Sequence, residues 1–108
     1  MYKVTYNSRA NSDLFEIAKY IAEESMSLEI AQNTISKMRK RIDNRLGIFP
    51  LSGQIEAVIN GIEYHKIIVG RYSIIYKIIE LDDGEDDEEV VVVTNVIHGA
   101  REKIIIID

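Results

Sequence analysis

A histidine and an arginine stand three residues apart in Ile97-His98-Gly99-Ala100-Arg101-Glu102, directly after an apolar stretch. An imidazole exchanges protons near neutral pH, and a guanidinium fork grips two oxygens of a phosphate or carboxylate. Such groups gather where a rigid strand hands them to a loop; an Arg101 paired with Glu102 is the plain structural alternative. A second polar set, His65, Lys66, Arg71, Tyr72, Ser73, Tyr76 and Lys77, is strung through isoleucine and valine. If Gly70-Arg71 is a two-residue hairpin loop, Val69 faces Tyr72, His65 pairs with Tyr76 and Lys66 pairs with Ile75. His65 and Tyr76 then share one face with Ile67, Val69, Tyr72 and Ile74, while Lys66, Ser73 and Lys77 share the other. For His65 and Tyr76, ordinary sheet packing competes with any chemical role. The candidate active-surface residues are Lys66, Arg71, Tyr76, His98 and Arg101.

The motifs that announce common chemistries are missing. There is no GxSxG, no GxxxxGK[ST], no HExxH and no cysteine. A metal would need the two histidines, His65 and His98, supported by carboxylates, and they fall on different strands. Neither a metal site nor a cofactor is expected, and no residue is singled out as catalytic from chemistry alone.

The elements that must position these residues follow from hydrophobic spacing. Tyr2–Asn7 alternates as a strand, with Tyr2, Val4 and Tyr6 on one side. Asn11 or Ser12 can cap a helix from Asp13 to about Glu24, striped by Leu14, Ile17, Ala18 and Ile21, with Asp13 and Glu16 in its first turn. Ser27 can cap a second helix striped by Ala31, Ile35, Met38, Ile42 and Leu46, with Gly47 as a left-handed stop and Pro50 preventing resumption. From there the period is two: Gln54–Ile59, the turn Asn60-Gly61, Ile62–Val69, the turn Gly70-Arg71, Tyr72–Leu81 and Val90–Ile97. Helices followed by a run of strands give an α+β fold, a twisted antiparallel sheet with an N-terminal helical hairpin packed on one face.

At 108 residues the chain is read as one domain, residues 1–108, and 46% hydrophobic content suffices for one core. The longest apolar runs, Val90–Val93 and Ile104–Ile107, are far short of the ~20 residues that span a bilayer. With no signal-peptide pattern at Met1–Tyr6 and no cysteine, the expectation is a cytoplasmic protein without a membrane partner. The net charge of −5 is concentrated in Asp82–Glu89, which holds seven acids and no base; without it the balance is 13 bases to 11 acids, or +2. That block is expected to be a solvated loop, since its spacing does not fit a calcium loop. Lys37–Arg45 carries five bases and one acid, the exterior of a helix or a dock for an acidic partner or nucleic acid. The Ile104–Ile107 tail either joins the sheet or is covered by a partner.

Four stretches belong together: Asp13-Leu14 with Ile17 and Tyr20-Ile21, followed by Ala31 and Ile35; Phe49-Pro50 with Gly53; Tyr64-x-Lys66-x-Ile68-Val69-x-x-Tyr72-x-Ile74-x-Tyr76-x-Ile78; and Val96-Ile97-His98-Gly99-Ala100-Arg101. In this order they resemble the RelE/ParE toxin superfamily, closer to its ParE-like branch. The resemblance covers nearly the whole chain; the acidic insertion and the isoleucine tail depart from it. It implies a β-α-α-β-β-β fold and the toxin of a type II toxin–antitoxin module of the plasmid-stabilising kind. A cognate antitoxin would neutralise it in a hetero-oligomer, with a dimer as one form. RelE-like members are ribosome-dependent mRNA endoribonucleases, which need a base, an acid and cations around the strained phosphate. Their first lysine falls on Lys66 and a late arginine on Arg101, but a second lysine falls on Ile68 and an arginine on Ser73. No tyrosine or histidine follows His98. The resemblance therefore favours the ParE-like activity, inhibition of DNA gyrase by protein contact. The ribonuclease is the alternative, and a non-toxic interaction module of the same fold is a further one.

Overall fold

The computed structural model describes residues 1–82 and 87–99. The elements are β1 (Lys3–Tyr6), α1 (Ser8–Ser25), α2 (Leu28–Ile48), β2 (Gln54–Ile59), β3 (Ile62–Val69), β4 (Tyr72–Asp82) and β5 (Asp87–His98). Among the described residues no helix is long and apolar enough to cross a membrane.

Helix α1 begins a turn earlier than its apolar stripe suggests. Asn7, not Asn11 or Ser12, is its cap, and the Asn7 side chain accepts the Ala10 N–H at 2.9 Å. The early start lets Ala10 join Leu14 in the core, one turn apart on the buried face. It also removes Asp13 and Glu16 from the first turn, so their expected part at the helix dipole does not arise. Ser27 caps α2 as expected, accepting the Ile30 N–H at 3.2 Å. Gly47 lies inside α2 and is not its left-handed stop. Its role is close approach: Tyr2 donates its N–H to the Gly47 carbonyl at 2.8 Å, and a Cβ there would sit 3.3 Å from the Tyr2 carbonyl oxygen.

The sheet order is β1-β5-β4-β3-β2. Strands β2 to β5 form an antiparallel meander, while β1 lies parallel to β5, with Lys3 opposite Val90 and Tyr6 opposite Val93. The sheet is therefore mixed, a correction to the antiparallel expectation, and the order is β-α-α-β-β-β-β, one strand more than the resemblance implied. The helical hairpin carries the chain from β1 to β2 at the far edge of the sheet, and the meander returns it to β5 beside β1. Asn60 and Gly61 both take positive φ (53° and 78°), as a two-residue hairpin turn demands. In the next turn Gly70 alone does so (60°), and the expected register holds, with Val69 opposite Tyr72, His65 opposite Tyr76 and Lys66 opposite Ile75.

Between β4 and β5 the register shifts by one: Ile75 faces Asn95, but Tyr76 faces Val93. Thr94 is the extra residue, its hydroxyl 2.8 Å from Asn95 Oδ1 and 3.3 Å from the Ile75 carbonyl. A bulge takes a backbone N–H out of the ladder. Here Val96 N–H turns to α1 and donates to Asp13 Oδ2 at 2.9 Å.

Leu14, Met38, Ile42 and Leu46 from the helices pack on Ile67, Val69, Ile74, Tyr76, Val91 and Val93 from the sheet. Ile42 and Leu46 have no exposed surface, and burying each stabilises the fold by ~1.5–3 kcal/mol. Asp82 and Asp87–Glu89 lie at the ends of β4 and β5, so these acids extend a two-stranded ribbon where a loop was expected. Asp83–Asp86 and Ala100–Asp108 lie outside the described residues, and with them Arg101 and the isoleucine tail.

Candidate functional site

The five candidate residues fall in separate places. Lys66, on β3, faces away from the helices, and its Nζ is 3.5 Å from Glu56 Oε2 on β2. Lys77 on the same face lies over the Tyr64 ring, 5.7 Å from its centroid. Ile68, two residues beyond Lys66, is half-exposed at 52%, and Ser73 is buried. Of the two cations on this face, Lys66 is ion-paired and Lys77 lies over a ring.

Tyr76 belongs to the core. It has no exposed surface, and its hydroxyl accepts the Gly53 N–H at 3.0 Å. Burial pushes the Tyr76 phenol above its usual range, with the Gly53 N–H and the Arg45 charge pulling the other way. His65 stacks on Tyr76 with ring centroids 5.3 Å apart, and its Nδ1 lies 3.2 Å from the Gly53 carbonyl. A carbonyl only accepts, so Nδ1 carries the proton. Two side chains of adjacent strands thereby clamp the backbone that leads into β2. The clamp requires glycine: a Cβ on Gly53 would lie 2.6 Å from the Tyr76 hydroxyl and 2.7 Å from the Lys66 carbonyl oxygen.

Arg71 and His98 meet at the opposite end of β3. Arg71 is exposed in the β3–β4 turn, and its carbonyl accepts the Gly99 N–H. His98 is exposed and tilts against the half-buried Tyr72, centroids 5.2 Å apart at 51°. Burial raises the Tyr72 phenol while Arg71 opposes the rise. Arg101, the partner expected for His98, lies outside the described residues.

Three contributions escaped the sequence reading. Asp13 serves the β5 bulge, a long-range partnership with no local signal. Tyr6 donates to Asp43 Oδ1 at 2.6 Å under the Arg39 guanidinium, 4.5 Å from the ring centroid. Arg41 and Arg45 reach from α2 to the β3–β4 turn, Arg45 donating to the Ile68 carbonyl at 3.0 Å and Arg41 lying beside Gly70. Their four-residue spacing after Lys37 was the available signal, since it aligns all three along one helix face.

No metal-holding cluster of His, Cys, Asp or Glu occurs among the described residues. What the surface offers is contact. Phe15, Phe49, Leu51 and Val58 are all more than 60% exposed, and a shallow apolar groove between α1 and α2 runs past Leu14, Phe15, Ala18 and Ile35. Large exposed apolar side chains in such numbers mark surfaces that meet other macromolecules.

The family model of the ParE toxin of type II toxin–antitoxin systems matches residues 4–103. The chain belongs to the ParE toxin family. No curated protein matches it. As a ParE-family toxin it is one half of a type II toxin–antitoxin pair, with a cognate antitoxin as partner. The match begins within β1 and passes through both helices and the meander, so the family pattern embraces the whole described fold. In this ParE toxin the sheet face away from the helices carries the Lys66–Glu56 pair, Lys77, Ile68 and Ser73.

Proposed function

We propose that this ParE toxin arrests bacterial growth by gripping DNA gyrase through protein–protein contact, in the cytoplasm and without making or breaking a covalent bond. The observation that carries the reading is the state of Lys66. Phosphoryl cleavage requires cations free to meet charge that develops in the transition state. Lys66 is instead engaged by Glu56 at 3.5 Å, between a half-exposed Ile68 and a buried Ser73. The exposed apolar residues of the helices and β2 suit a protein partner, either antitoxin or target.

The test is induced expression of the chain alone and with the neighbouring short reading frame, followed by assays of gyrase supercoiling and of mRNA integrity. Arrest relieved by the neighbour, with inhibited supercoiling and intact mRNA, is the expected result. The mRNA endoribonuclease is the second reading, supported by Lys66 on the helix-free face and by His98 at a strand end. It predicts codon-specific cleavage that Lys66→Ala abolishes; the gyrase reading predicts that Lys66→Ala arrests growth like the wild type. A chain that causes no arrest would be an interaction module of the same fold.

A further inference from the structure

We propose that the end of the molecule formed by the β3–β4 turn binds single-stranded nucleic acid, with Arg41, Arg45 and Arg71 on phosphates and the Tyr72–His98 ring pair beneath an unstacked base. The surface is separate from the helix-free face that holds Lys66 but includes His98, which the ribonuclease reading also uses; oligonucleotide binding is therefore read apart from growth arrest and from mRNA cleavage.

The argument begins with charge. The described ion pairs join Arg9 to Asp13, His65 to Glu63 and Lys66 to Glu56, and none involves Arg41, Arg45 or Arg71. All three arginines are exposed. Arg41 and Arg45 are one helical turn apart on α2, and both lean on the turn. Arg45 donates to the Ile68 carbonyl at 3.0 Å, and Arg41 Nη1 is 3.7 Å from where a Cβ on Gly70 would stand. Arg71 follows Gly70 directly. Three cations from two elements therefore meet at one hairpin.

The net charge of −5 does not neutralise this end. The acids of the ribbon begin at Glu80, eight residues along β4 from Tyr72, or roughly 26 Å at ~3.3 Å per residue. That is several Debye lengths at physiological salt, where the length is ~8 Å. The ribbon repels a polyanion at its own end and leaves the arginine end available.

The rings decide between an acidic peptide and a nucleic acid. Carboxylates would satisfy the arginines but leave the rings unused. Tyr72 and His98 present a tilted pair next to Arg71, His98 exposed, and Tyr20, 60% exposed on α1, is close enough to raise the Tyr72 phenol. Bases stack on such rings whatever their sequence, while arginines track the backbone. A duplex keeps its bases stacked inside and uses only the charge, so single strands should be preferred.

The experiment is fluorescence anisotropy with the full chain and a fluorescein-labelled oligonucleotide of ~12 residues, as single-stranded RNA, single-stranded DNA and duplex. With three phosphate contacts at ~0.7 each, the log–log salt slope should be about −2, roughly a twentyfold weakening between ~50 and ~200 mM salt. Arg71→Glu should weaken binding and flatten the slope. His98→Ala and Tyr72→Leu should weaken binding with the slope unchanged, and an unaltered melting midpoint for the exposed-site variants Arg71→Glu and His98→Ala separates binding from folding. No anisotropy change at ~50 mM salt would overturn the proposal. So would duplex binding as tight as single-strand binding, full competition by a polyglutamate peptide, or His98→Ala binding like the wild type.

Discussion

Asp13 and Gly53 each decide a junction through one close contact. The Asp13 carboxylate is the acceptor for the Val96 N–H that the Thr94 bulge turns out of the ladder. Asp13→Ala leaves that donor without a partner beside the core, at a cost of ~1–3 kcal/mol. Asp13→Asn keeps an acceptor oxygen and should recover most of the loss. Urea titration of the three proteins checks this, and equal midpoints for Ala and Asn would show that the hydrogen bond is not the cause. Gly53→Ala drives a Cβ to 2.7 Å from the Lys66 carbonyl, a backbone atom that cannot swing away, and to 2.6 Å from the Tyr76 hydroxyl. Overpacking of this kind costs ~1–3 kcal/mol. The expected fall in melting midpoint is ~4–8 °C per kcal/mol for a domain of this size. Neither residue's duty was legible in the sequence. Asp13 reads as a helix-dipole carboxylate because its true partner is 83 residues away, and Gly53 reads as a loop glycine because its constraint is a tyrosine two strands over.

The strands were legible because their period and turn residues are local. Gln54–Ile59 and Ile62–Val69 have the bounds that alternation and Asn60-Gly61 imply. The pairing of β1 was not legible, since parallel partnership depends on where the helical hairpin and the meander return the chain. Nor was the ribbon: a run of acids suggests solvation, and only the register with β4 makes it a strand. That register sets like charges against each other, Glu80 opposite Glu89. Directly opposed like charges destabilise, and an opposite-charge pair contributes ~0.2–1 kcal/mol. Glu80→Lys should therefore raise the midpoint of thermal unfolding at low salt, and the gain should shrink as salt screens the pair. A midpoint lowered at both salt concentrations would mean that the acids do not oppose one another in solution.

On the scale of the whole molecule, the ribbon is an appendage to a complete unit. Strand β1 starts its pairing at Val90, and Ile79 faces Val90 across β4 and β5, so among the described residues the backbone of Glu80–Asp82 pairs only with that of Asp87–Glu89, while the Glu89 side chain reaches Tyr2. Among the described residues, the core cluster does not draw on the ribbon. Replacing Glu80–Glu89 with an Asn-Gly turn should give a folded domain with the same helical content and a melting midpoint within a few degrees. The replacement removes eight acids and moves the formal charge from −5 to +3. If growth arrest survives it, the target-binding surface lies on the helices, the meander or the turn end. If arrest is lost while the fold persists, the acidic ribbon is itself the part that meets the target, and the apolar surfaces of the helices are left to the antitoxin.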